Sequence, residues 1–121
     1  LNAVADVLVA LVALLHAWFL VLEMFLWTKP IGLKTFRNSP QRARDSKVLA
    51  QNQGLYNGFL VAGLAWGLVA SPPDHAFALK VFFLGCVVTA GLFGAFTVSK
   101  RIFFVQALPA ILALGLLIGG R

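Results

Sequence analysis

From Val4 to Trp27 the chain reads VADVLVALVALLHAWFLVLEMFLW, a run in which only Asp6, His16 and Glu23 can carry charge. About 20 apolar residues suffice to cross a bilayer as a helix. A run of this length needs either the rest of the protein or lipid around it. The rest is no better supplied with polar groups. Hydrophobic residues make up 60% of the sequence and charged ones 12%, against roughly 25% charged in a soluble domain. The expected class is therefore an all-α integral membrane protein, a single domain over residues 1–121 with four transmembrane helices in one bundle.

The spans follow from the interruptions. The first covers about 4–27 and ends at Thr28-Lys29-Pro30, where proline stops a helix and lysine marks the water interface. A polar connection occupies 31–39. Ser39-Pro40 reads as an N-cap with proline at the first helical position. The second helix is expected to start there in water, carry Arg42, Arg44 and Lys47 on a solvated turn, and cross the membrane over 48–70. SPPDH at 71–75 is a tight turn, with Asp74 as the expected cap of the third span, 76–98. Ser99-Lys100-Arg101 turns the chain into the fourth span, 102–119, where Pro109 predicts a kink. Trp27 and Trp66 suit interfacial aromatic belts on opposite sides, while Trp18 falls at mid-depth.

Charge sets the orientation. The loop at 28–47 holds Lys29, Lys34, Arg37, Arg42, Arg44 and Lys47, and the turn between the third and fourth spans holds Lys100 and Arg101. All eight lie on one side of a four-span chain, which makes that side cytoplasmic and places both termini outside. The location is then the bacterial cytoplasmic (inner) membrane. A net charge of +6 concentrated between apolar spans points to anionic lipid headgroups at the loop, not to nucleic acid. Cys86 is the single cysteine, so no internal disulfide forms and no metal cluster is expected. Small residues recur at spacing four (Gly54/Gly58, Gly63/Gly67, Ala90/Gly94, Gly115/Gly119). They fit close helix packing within the chain or in a homo-oligomer.

The polar side chains inside the spans are the candidates for function. His16 and Glu23 are seven residues apart and share a stripe of the first helix. NQGLYNG at 52–58 places Asn52/Tyr56 and Gln53/Asn57 at spacing four. Counting inward from Trp27 and Val48 at about 1.5 Å per residue sets Glu23 level with Asn52 and Gln53, and His16 level with Tyr56 and Asn57. The simplest arrangement has these stripes facing each other, with Gln106 and Thr97 entering the same cytoplasmic half. Amides alone are adequate as structural glue at ~0.6 kcal/mol per interaction. An intramembrane carboxylate costs ~2.5–3.5 kcal/mol near mid-membrane and marks a functional site by default. A surface ion pair of Glu23 with Lys29, Lys47 or Arg101 is the competing structural account. His75 lies at the wrong depth to join His16, which argues against a two-histidine haem and leaves single-histidine haem ligation through His16 as a minor option.

The segments HAWFLVLEMFLWTKP (16–30) and VLAQNQGLYNGFLVAGLAWGL (48–68) resemble the small bacterial membrane proteins grouped as domain-of-unknown-function family 1304. The matching positions are His16, Glu23, Met24, Trp27, Lys29 and Pro30, then Asn52, Gln53, Gly54, Tyr56, Asn57 and Gly58. The resemblance covers nearly the whole chain. It implies a four-helix protein of the cytoplasmic membrane and no particular activity.

Three functions compete. The first is a pocket that binds or transforms a small lipophilic molecule by acid–base chemistry. Glu23 would be its acid or base, His16 its relay or orienting group and Tyr56 a hydrogen-bond donor to a developing oxyanion. Asn52, Gln53, Asn57, Gln106 and Trp27 would hold the ligand. The second is a proton-coupled exporter that uses Glu23 alone. The third is an accessory subunit of a membrane complex, with a structural polar network.

Overall fold

The computed structural model describes residues 2–121, Asn2 by its backbone only, and contains no strand among the described residues. The helices are α1 (Asn2–Met24), α2 (Pro30–Phe36), α3 (Pro40–Asp45), α4 (Lys47–Val69), α5 (Pro73–Thr97) and α6 (Leu108–Gly119), with a π-helical turn at Phe103–Ala107 directly before α6. Two helices are long and apolar enough to cross a membrane, α1 over Ala3–Met24 and α5 over Pro73–Thr97. The apolar stretch Phe103–Gly119 is shorter, and the amides of α4 lower its hydropathy.

Several boundaries differ from the sequence expectation. α1 stops at Met24, short of Trp27: the amides of Phe25 and Leu26 both donate to the Val21 carbonyl, at 3.0 and 3.2 Å, which closes the helix in a wide turn. Pro30 opens a helix where a connection was expected. Lys29 is extended (φ −83°, ψ 161°) as its N-cap, and Pro30 takes the first helical position, where a missing N–H costs nothing. α2 ends at Arg37 in the left-handed region (φ 55°, ψ 43°), its N–H bonded to the Leu33 carbonyl, the geometry of an αL cap carried by a residue other than glycine.

Ser39 caps α3 as expected, its Oγ accepting from the Arg42 amide at 3.1 Å. The helix from Pro40 is not continuous, however. It breaks at Ser46 (φ −104°, ψ 8°), whose hydroxyl donates back to the Arg42 carbonyl at 2.7 Å. Asp74 is not a cap. Pro72 holds the N-cap position of α5, and Asp74 sits in the first turn, where its charge suits the helix dipole. A π-helical turn over Phe103–Ala107 precedes Pro109, which has no N–H to donate and whose ring in a regular helix would clash with the carbonyl four residues back.

The chain forms two compact units, one of residues 15–61 and one of residues 1–14 with 62–121; the divisions fall inside α1 and α4. The 15–61 unit buries Leu22, Gly32 and Ala43. Trp27 organises it. Its indole Nε1 donates to Ser46 Oγ at 3.1 Å, and its ring lies against Phe36 with centroids 4.8 Å apart. One side chain thus ties the end of α1 to α2 and to the break between α3 and α4.

In the other unit, α5 packs against the π-helical turn and α6. Leu84, Val87, Ala107, Ala110 and Ala113 are fully buried. Gly91 makes the approach possible, since a Cβ there would stand 2.7 Å from both the backbone N and the Cβ of Ala107.

Candidate functional site

The buried stripe of α1 runs Ala5, Val9, Val12, His16 and Glu23, the three- and four-residue spacing of one helix face. Glu23 is 5% exposed and His16 fully buried. On α4 the inward stripe is Ala50, Gly54, Asn57 and Leu64. Asn57, 8% exposed, donates from Nδ2 to Glu23 Oε1 at 2.5 Å.

Gly54 makes room for this pair. A Cβ at Gly54 would stand 2.5 Å from Met24 Cγ and 3.2 Å from Glu23 Cβ, and one at Gly58 would stand 3.0 Å from Leu20 Cδ1. As the number rises on α4 the facing number falls on α1, so the two segments run antiparallel within the 15–61 unit. Side chains lean toward their own helix N-terminus. In an antiparallel pair Glu23 and Asn57 therefore lean toward each other, which is how Glu23 reaches past the level of Gly54.

That geometry revises the level counting, which had set Glu23 against Asn52 and Gln53. Those two side chains are exposed, as is Tyr56 at 59%, and none of the three has a hydrogen-bond partner among the described residues. Tyr56 lies beside Phe59, centroids 6.0 Å apart. Of the four polar side chains in NQGLYNG, only Asn57 turns inward. The partner of Glu23 is this amide; none of the described ion pairs links it to Lys29, Lys47 or Arg101.

Asn57 engages one oxygen of the Glu23 carboxylate. No described residue bonds the other, Oε2, yet no fully buried side-chain nitrogen or oxygen among the described residues lacks a partner. Oε2 is therefore not completely covered: the carboxylate is held at one oxygen and bonded by no described residue at the other.

His16 lies edge-on to Phe19, centroids 5.3 Å apart. Seven residues of helix, about 10 Å of rise, separate it from Glu23. Trp27 is occupied by Ser46 and Phe36. Gln106 sits half-buried in the π-helical turn of the other unit, and Thr97 bonds the carbonyl of Phe93 on its own helix at 2.7 Å.

Sequence reasoning passed over a second polar group. Lys80 Nζ donates to Asp6 Oδ1 at 2.7 Å, with the Lys80 side chain 12% exposed. The clue was available: each is the one formally charged residue within its expected span interior on that side, and both lie a few residues from the same end of the bundle.

The six basic side chains from Lys29 to Lys47 are all exposed. Three of them, Lys34, Arg42 and Arg44, stand on the short helices α2 and α3.

The fold and the site define an all-helical protein with a carboxylate–amide pair buried inside one of its two compact units. The chain belongs to the family described as "Protein of unknown function (DUF1304)", whose model matches residues 10–118. It is similar to the protein named "Uncharacterized protein YpaA" of Lactococcus lactis subsp. lactis (strain IL1403), with 30% identity over 110 residues, covering 89% of this chain and 91% of that relative. No solved structure matches it.

Proposed function

We propose that this chain is a four-span protein of the bacterial cytoplasmic membrane that binds a small lipophilic molecule at Glu23 and exchanges a proton with it. The observation that carries the reading is the Glu23 carboxylate itself, buried in an apolar helix, fixed through Oε1 by Asn57 and bonded by no described residue at Oε2. A purely structural acid would be expected to have both oxygens satisfied. A working acid or base needs one oxygen held and the other within reach of its ligand.

The membrane setting is supported by what the apolar helices leave uncovered. Only 28% of the apolar window of α1 and 22% of that of α5 is buried within the protein. Val7, Leu11, Leu14, Phe82, Phe93 and Phe96 all point outward. A core helix of a soluble protein would be covered; these side chains ask for lipid. α4 has 23 residues, about 34 Å at the helical rise, enough to span. The stretch Phe103–Gly119 completes four. The exposed basic segment then faces the cytoplasm against anionic headgroups, each cation near the surface adding about 1 kcal/mol, and both termini lie outside.

In this reading Asn57 positions Glu23, and His16 supports the packing of the stripe rather than passing a proton directly across two helical turns. Asn52, Gln53 and Tyr56 would meet the ligand only at the helix surface. Their exposure favours a second reading in which they pair with another chain, making the protein an accessory subunit or a homo-oligomer. The test is native mass spectrometry of protein extracted in mild detergent, wild type beside Glu23→Gln. Glutamine can still accept from Asn57, so the fold is retained. A small molecule of discrete mass held by wild type and released by the variant supports the proposal. Equal retention by both overturns it. Stoichiometric protein partners lost on replacing Asn52, Gln53 and Tyr56 would establish the second reading.

A further inference from the structure

The unit of residues 1–14 and 62–121 contains a cleft of about 340 Å³, at the end where α5 begins and α6 finishes. Four charged side chains line it, Asp6, Asp74, Lys80 and Arg121, together with Phe77 and Leu117. They form two ion pairs: Lys80 Nζ to Asp6 Oδ1 at 2.7 Å, and Arg121 Nη2 to Asp74 Oδ1 at 3.1 Å. Arg121 also lies over the Phe77 ring, 4.1 Å from its centroid.

The hydrogen-bonding capacity of these groups is far from used. An ammonium has three donors and a guanidinium five. Among the described residues Lys80 spends one and Arg121 one, and each carboxylate accepts through a single oxygen. Lys80 is the unusual member. Its side chain is only 12% exposed and lines the cleft, and its stem is held where Gly67 leaves space, a Cβ there standing 2.7 Å from Lys80 Cγ. A simple anion would meet two cations, but with two carboxylates at its side. A simple cation would meet the reverse. The four charges cancel, and only a ligand carrying both signs close together engages both sets of unspent groups without breaking either pair.

We infer that this cleft binds a zwitterionic headgroup of the phosphoethanolamine kind, with the phosphate on Lys80 and Arg121 and the primary ammonium donating to Asp6 and Asp74. A quaternary ammonium has no N–H to offer the carboxylates, and an anionic headgroup lacks the positive charge they attract. The same chemistry exists on a membrane lipid and as a free small molecule. This inference concerns a different cleft from Glu23 and does not depend on the acid–base reading.

The test is native mass spectrometry of detergent-solubilised protein titrated separately with dioleoyl phosphatidylethanolamine, phosphatidylcholine and phosphatidylglycerol, and then with free phosphoethanolamine as competitor. The expected result is at least tenfold tighter binding of phosphatidylethanolamine than of the other two, with the preference lost in Lys80→Gln and in Arg121→Gln. Arg121 is half-exposed, so its variant decides the matter even where Lys80→Gln fails to fold. Displacement of the lipid by free phosphoethanolamine identifies the headgroup alone as sufficient; failure to displace it identifies the lipid as the ligand. Equal binding of the three lipids, or a preference that survives the Arg121 substitution, overturns the inference.

Discussion

Asn57 Nδ2 and Glu23 Oε1 meet at 2.5 Å across 34 residues of sequence, and both side chains are more than nine-tenths buried. The amide is the one described hydrogen-bond partner of the acid. Asn57→Ala should therefore cost about 1–3 kcal/mol, the range for leaving a buried polar group unpaired, read as a lower melting temperature in detergent. Glu23→Gln should cost less, since its amide oxygen replaces the acceptor. In the double variant the losses should fall short of their sum. Additivity within about 0.5 kcal/mol would mean the two residues are not coupled.

Trp27 bonds Ser46 and packs on Phe36. Trp27→Phe removes the hydrogen bond and keeps much of the packing, so a loss of about 0.5–1.5 kcal/mol is expected, matched by Ser46→Ala. Hydrogen exchange should rise around Ser46 in both variants. Unchanged exchange there would show that the break between α3 and α4 holds without the indole.

The glycines separate into closed and open positions. A Cβ at Gly54 would press on Met24 and Glu23, whereas one at Gly115 meets nothing within 4 Å. Gly54→Val should destabilise by about 1–3 kcal/mol through overpacking. Gly115→Ala should be neutral or gain up to about 1 kcal/mol from helix propensity. Parallel melts of the two variants check this, and equal losses would contradict the packing of α1 on α4.

Orientation is testable with single cysteines in a Cys86→Ala background. Arg37→Cys, on the basic segment, should react with a membrane-impermeant maleimide only after the cells are opened. Asp74→Cys, 88% exposed in its side chain, should react in intact spheroplasts. The opposite pattern would reverse the topology, and labelling of both in intact spheroplasts would rule out an odd number of spans between them.

Much of the site was legible in the sequence because helix periodicity is a local property. Spacing of seven alone places His16 and Glu23 on one stripe, and both are buried. The level of contact was not legible. Counting by rise places Cα atoms, whereas the lean of side chains along an antiparallel pair brings Glu23 to Asn57. Nor could spacing say which arc of α4 faces inward. Asn52, Gln53, Tyr56 and Asn57 satisfy spacing four in two ways, and the small residues Ala50 and Gly54 were the better guide, because close approach selects the face that lacks bulk.

Composition and the local order of residues were enough to determine an all-helical chain, the cap at Ser39 and the shared stripe of His16 and Glu23, and the segments at 16–30 and 48–68 carried the family resemblance. These depend on neighbours within a few turns, whose geometry the helix fixes. Tertiary structure alone decided that Pro30 begins a helix, that Trp27 fastens the break at Ser46, that Asn57 and not Asn52 or Gln53 holds the acid, and that Lys80 closes on Asp6. Each depends on which surfaces come within a few ångströms after the helices pack. That choice is made by side-chain volume and direction, which hydropathy and spacing do not encode.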